Sequence, residues 1–429
     1  MTETIIRNAT WAIDGKKYDL ALSTCEGGKH PQLDGITLTG VERCEPAGGI
    51  SVPAGAQVID AGGKLLLPAL FDMHAKVEIA GRSKRESVNR TGQAATNGGV
   101  WAMLVMPTRG FCFDSAPNLD SFRDAVNQRS SAEMYAAGCI TQGMGGEQQA
   151  PYNTLAARGV RILSDAEHVP ANLLTLHRVM KYVAELDMVL AIRGDVPELT
   201  RNTCMHPGAT SYRLGLHGTP ACAEEIGIET LLRLAADAGA RIHIQTVSTA
   251  EGAEIIRRAK AAGQRVTAEV ALHHLLFTHE DVGNYDTNYK TLPPLRERSD
   301  CEALIAAVKD GTIDCIVSDH TPCIPFAKKQ DFITAPQGMA VLDHYLPALY
   351  THLVKPGLLT WAELVRACST APCGIVQPVD EYDEPRVAPL MLFDPAARST
   401  VRAENLACGT ANSPFIGTEL CGSVNLPLQ

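Results

Sequence analysis

His74 and Lys76 stand one residue apart at the end of an apolar run, residues 65–70 (LLLPAL), with Glu78 two positions further on. Far along the chain, SDHTPC places Asp319, His320 and Cys323 within five residues, and a His273-His274 pair lies between the two segments. Cysteine and histidine suit zinc, so His74, Asp319, His320 and Cys323 could hold one ion. A thiol beside an imidazole, Cys323 with His320 or His273, could instead act as a nucleophile. Each reading has a plainer rival. Nothing in the spacing demands a metal, neighbours at this spacing do not assure the geometry that activates a thiol, and a lone polar group at a strand end usually satisfies backbone. Lys76 argues against a metal directly, because an ammonium has no lone pair to donate and repels a cation. The expectation is no metal and no cofactor, with one zinc ion as the alternative.

Such side chains need a scaffold that brings strand ends together. The run at 65–70, flanked by Gly and Pro, reads as a strand buried on both faces. After it, amphipathic helices alternate with apolar strands: helices over 87–97, 119–127, 153–158, 171–186, 223–238, 250–262 and 301–309, strands over 101–106, 133–137, 160–163, 188–192, 241–246, 265–269 and 314–318. With the opening strand that makes eight, the number a closed parallel barrel needs. Polar residues at the carboxyl ends of barrel strands sit on the face where such enzymes place their sites. The flanks differ: residues 1–62 and 386–429 read as short β segments (4–6, 20–23, 35–41, 57–59, 390–393, 399–401, 417–424) broken by Gly-rich turns. The predicted fold is an α/β chain, a (β/α)8 barrel over 63–385 with a small β-sandwich module assembled from both termini.

Composition bounds the partners. The 429 residues are 45% hydrophobic and 20% charged, enough to bury a large core, and the net charge of −10 argues against nucleic acid and anionic membrane. The beginning of the chain has no basic segment leading into an apolar one, and no 18 apolar residues run together, so a cytoplasmic protein is expected. Thirteen cysteines without a C-x-x-C pair read mostly as small core hydrophobes.

Longer motifs carry a resemblance. Residues 242–322, beginning IHIQTVST and ending CIVSDHTP, are similar to dihydroorotases along their whole length, as are GCITQG at Gly138, LGLHGTPACAEE at Leu214, LMLFDP at Leu390 and SPFIG at Ser413. The chain is thereby identified as a member of the dihydroorotase branch of the metal-dependent amidohydrolases, whose TIM barrel and β module match the architecture above. Members open or close a cyclic amide with one or two divalent ions that polarise a carbonyl and activate water.

Placed on that pattern, the site residues do not match. His74, Asp165 and Asp319 correspond to metal ligands of the family, with Asp319 also its general acid and base. The second histidine of its His-x-His-x-Arg strand is Lys76 here, and the carboxylate-binding arginine is Glu78. The fifth- and sixth-strand histidines become Ile192 and Thr246. The asparagine after Met-Pro becomes Thr108, that before Pro-Pro-Leu-Arg becomes Leu292, and the histidine closing Asp-His-Ala-Pro-His becomes Cys323. His273 and His274 match a pair outside the first metal shell and are expected to be structural. Some bacteria carry a noncatalytic dihydroorotase-like polypeptide required for assembly of aspartate carbamoyltransferase, and this chain looks like that kind of protein. The resemblance implies a pseudoenzyme whose partners are the transferase and further copies of itself. The alternative is an active but diverged dihydroorotase, or another cyclic-amide hydrolase with an atypical metal site.

Overall fold

A computed structural model describes residues 4–22, 31–38, 41–78, 82–169, 172–324, 326–379 and 386–425. The predicted strand ends at 23 and 39–40 and helix start at 171 lie outside these residues. Eight parallel strands form the barrel: β1 (Leu70–Ala75), β2 (Val100–Val105), β3 (Glu133–Ala136), β4 (Ile162–Leu163), β5 (Val189–Arg193), β6 (Arg241–Gln245), β7 (Val266–Ala271) and β8 (Cys315–Val317). They make one arc of three and one of five. Single parallel bridges close the ring, Gly138 to Leu163 between β3 and β4, and Ala75 to His320 between β8 and β1. Every residue of β1, β2, β5 and β8 is buried, as strands covered on both faces must be.

The helices between them cover the outside. Helix Ala250–Ala261 buries Ile255, Ile256 and Ala259, while Glu251 pairs with Arg258 and Glu254 with Arg257 on its solvated face. Its first turn is capped by the Thr249 side chain, which accepts from the Gly252 amide at 3.1 Å.

One expectation needs correction. The run at 65–70 is not a single barrel strand. Leu65–Pro68 pairs antiparallel with Leu390–Thr400 and parallel with Thr4–Trp11 in the terminal sheet, and the barrel strand starts at Leu70. Proline has no N–H with which to continue a ladder, and the chain changes sheets just after Pro68. The terminal sheet thus extends beyond residue 62 to Pro68. It has seven strands, with Glu419–Asn425 at one edge and Val41–Pro46 at the other, the latter unforeseen because its VERCEP sequence is half charged. A separate hairpin of Gln32–Leu33 and Ile36–Thr37 is tied to the terminal sheet by Trp11 Nε1 donating to Asp34 at 2.8 Å.

Candidate functional site

The ends of β1, β6, β7 and β8 meet around one buried carboxylate. Glu269, on β7, accepts from His74 Nδ1 at 2.5 Å through one oxygen and from His243 Nε2 at 3.0 Å through the other. Burial alone would raise its pKa, but the charge of His74 and the hydrogen bonds from His243 and His74 outweigh that and hold it at about 2. His74 responds in kind: burial works against its charged form, yet Glu269 and then Asp319 raise its pKa. Gln245 completes the layer, its amide 3.5 Å from His74 Nδ1 and its carbonyl accepting from Ser164 Oγ at 3.1 Å.

Above this layer lies Asp319, just past β8. His74 Nε2 and His273 Nε2 each stand 3.7 Å from one of its oxygens, too far for hydrogen bonds. Burial raises its pKa to about 6 against the opposing charges of His74 and Lys76. His273 is fully enclosed and neither ring nitrogen has a hydrogen-bond partner among the described residues; burial drives its pKa well down. Lys76 pairs with Glu167, whose pKa the Lys76 charge lowers despite burial. Arg193, at the end of β5, pairs with Asp195 at 3.4 Å and donates to the Glu167 carbonyl at 3.3 Å.

These side chains fill the mouth. The cavity lined by His74, Lys76, Arg193, Thr246, Leu292 and Asp319 measures about 20 Å³, room for about one water. A wider cavity of about 340 Å³ lies outside it, with Glu78, Thr108, Arg109, Met144 and Cys323 among its walls, and Lys76 and Glu167 border both. The backbone bends sharply at three strand ends: Ala166 after β4 (φ 53°), Thr246 after β6 (φ 46°) and Asp319 after β8 (φ 46°) are left-handed without being glycine. Such strain costs roughly 1–3 kcal/mol per residue and clusters at functional sites.

Asp165 is not brought to His74 and Asp319. It accepts from the Ile140 amide at 2.8 Å, the Thr141 amide at 3.1 Å and the Thr141 hydroxyl at 2.5 Å, joining the β4 end to the β3 loop. Ala166 and Glu167 line the cavity in its place, the chain having turned at Ala166. Ile192 also misses the cavity: it lies in the core in register with Ile244, whereas Arg193, in register with Gln245, reaches the mouth. Glu78 accepts from the Gly110 amide at 3.0 Å, and Thr108 from the Phe111 amide at 3.2 Å. Cys323 is buried with its thiol 3.7 Å from the Thr321 and Gln337 carbonyls, and burial raises its pKa. His320 accepts from the Val341 and Leu342 amides through Nδ1, and neither His320 nor His273 is hydrogen-bonded to the Cys323 thiol among the described residues. His274 donates to the Pro293 carbonyl at 3.1 Å. The sequence reading missed Glu269, His243, Gln245, Glu167 and Arg193. Alternation in IHIQ and a lone Glu within VTAEVA were the available signals for three of them.

Comparison with known proteins gives this architecture a lineage. Residues 63–252 match the family model described as Dihydro-orotase-like. The chain is 36% identical to the dihydroorotase of Leifsonia xyli subsp. xyli, covering 98% of this chain and 94% of that protein. With the dihydroorotase of Mycobacterium leprae it shares 35% identity over 94% of each chain. The chain belongs to the dihydroorotase family. Solved structures similar in fold include a dihydropyrimidinase from Brevibacillus agri NCHU1002 (TM-score 0.78, 20% identity, 99% of this chain and 93% of that one). An L-hydantoinase from Arthrobacter aurescens is alike too (TM-score 0.79, 19% identity, 99% and 94%).

The metal that the dihydroorotase family implies can be tested against these residues. A zinc ion takes three or four nitrogen, sulfur or oxygen donors at about 2.0–2.3 Å. The mouth offers Asp319, the outward nitrogen of His74 and the enclosed His273, while Lys76 and Arg193 bring two cations to the same cavity. Among the described residues no three His, Cys, Asp or Glu side chains are grouped to hold an ion. The residues present do not fit a divalent metal.

Proposed function

We propose that this chain is a noncatalytic dihydroorotase-like protein that serves as a structural or regulatory partner of aspartate carbamoyltransferase and associates with itself. The observation that carries the first half is Lys76, an ammonium paired with Glu167 in the mouth of the barrel. His74 is matched by Glu269 and Arg193 by Asp195, so the mouth's cations already have their carboxylates without an added ion. A bound divalent ion would add charge where Lys76 and Arg193 supply it. The partnership rests on the resemblance to assembly chains of this family and on a barrel whose core is intact around an altered pocket.

The test has two arms. Metal content of the purified protein after mild dialysis is expected below stoichiometry, with no dihydroorotate formed or hydrolysed when zinc is added. Stoichiometric metal with turnover would establish the diverged enzyme instead. Aspartate carbamoyltransferase is expected to co-purify from the source cell, and a transferase that assembles and works fully in cells lacking this chain would remove the partnership.

A further inference from the structure

Of the thirteen cysteines, two stand in sulfur contact: Cys112 Sγ lies 3.6 Å from Cys139 Sγ, a juxtaposition no other pair of thiols has among the described residues. The backbone holds them side by side, since the Cys139 amide donates to the Phe113 carbonyl at 3.0 Å. A disulfide needs its sulfurs about 2.0 Å apart, so this pair must close by roughly 1.5 Å. Access to the two differs, with Cys112 partly exposed and Cys139 buried.

We propose that Cys112 and Cys139 form an oxidation site, closed by a low-molecular-weight disulfide. Cys112, the accessible thiol, loses its proton to solvent and attacks one sulfur of the oxidant, forming a mixed disulfide and releasing one small thiol. Cys139 then attacks Cys112 Sγ, its proton leaving with the second small thiol. Two protein thiols are oxidised and one small disulfide is reduced to two thiols. Burial raises the pKa of both cysteines, so exchange is slow near neutrality and quickens about tenfold per pH unit as thiolate forms. The bond joins the loop after β2, which carries Thr108 and Arg109, to the loop after β3, which carries Met144. All three residues line the outer cavity. Oxidation therefore staples two walls of the barrel mouth.

The test incubates the full chain with glutathione disulfide at pH 7 and pH 8.5, blocks remaining thiols, and maps the peptides by mass. The expected result is a peptide linking Cys112 to Cys139 in the majority of molecules, formed more than tenfold faster at the higher pH. In Cys139→Ser the mixed disulfide should instead persist on Cys112, and in Cys112→Ser the buried Cys139 should stay free. The proposal is overturned if the exposed Cys222 accepts glutathione while Cys112 and Cys139 both remain thiols. It is equally overturned if the wild-type chain ends with a stable mixed disulfide on Cys112.

Discussion

Glu224 and Glu269 are both buried glutamates near the carboxyl ends of the barrel strands, and they are satisfied in opposite ways. Glu224 accepts from the Ser248 and Thr249 amides at 3.0 and 2.9 Å and from both their hydroxyls, while Arg296, 4.0 Å away, bonds to Ser248 Oγ and the Thr219 carbonyl. These donors are main chain and hydroxyl, which bind a carboxylate whatever the pocket does. Glu269 depends on two imidazoles, and beyond it the polar groups are less well matched, with Asp319 standing off and His273 unpartnered. The brace beneath the β6 loop needs nothing from the mouth. That independence uncouples the form of the barrel from the side chains of the mouth.

The largest effects should separate these regions. Glu224→Ala is expected to cost about 3–5 kcal/mol in urea denaturation, because it strands a buried guanidinium and several donors. Glu269→Ala should cost less, about 2–4 kcal/mol, since His74 can shed its proton once its partner is gone. A larger loss for Glu269 would reverse the comparison. Asp319→Asn goes the other way. Its pKa is raised from 3.8 to about 6, so the folded chain binds the proton more tightly than the unfolded one, and stability falls as pH rises between those values. At pH 7 that penalty is in force, and Asn should stabilise by on the order of 1–3 kcal/mol and flatten the profile between pH 4 and 6. A destabilised Asp319→Asn would mean that the carboxylate has a partner in solution.

Much of this was legible in the chain. Eight apolar segments separated by amphipathic helices, with β-rich flanks, gave the barrel and the terminal sheet. The resemblance gave the positions at which the family's site residues were expected. Side-chain direction was the part that positions could not supply. Asp165 turns to the β3 loop because the chain bends left-handed at Ala166, and Ile192 and Arg193 differ by one residue, which in a strand decides between core and mouth. Glu269 escaped notice because its role arises only when β1, β6 and β7 are brought together, contacts spanning 26 and 195 residues of sequence.

Subtler changes test the mouth's own ion pairs. The pKa of His74 is raised by Glu269 against burial, so its contribution is fully present below the unfolded value of 6.5 and is lost as pH rises through the folded value. The melting temperature should therefore decline above pH 6.5, and His74→Gln should flatten that decline; an unchanged slope would place the titration elsewhere. Lys76→Met is expected to matter least for stability. The Glu167 side chain with which Lys76 pairs is 42% exposed, and water takes over much of what such a pair supplies, so the loss should stay near or below about 1 kcal/mol. What Lys76 controls is the charge of the mouth rather than the strength of the barrel. Lys76→Met should leave the melting curve nearly in place, while Lys76→Glu, which sets a carboxylate beside Asp319 and Glu167, should add weak, readily dialysed zinc binding visible by calorimetry. Equal zinc binding by the wild type and Lys76→Glu would show that the ammonium is not what keeps cations out.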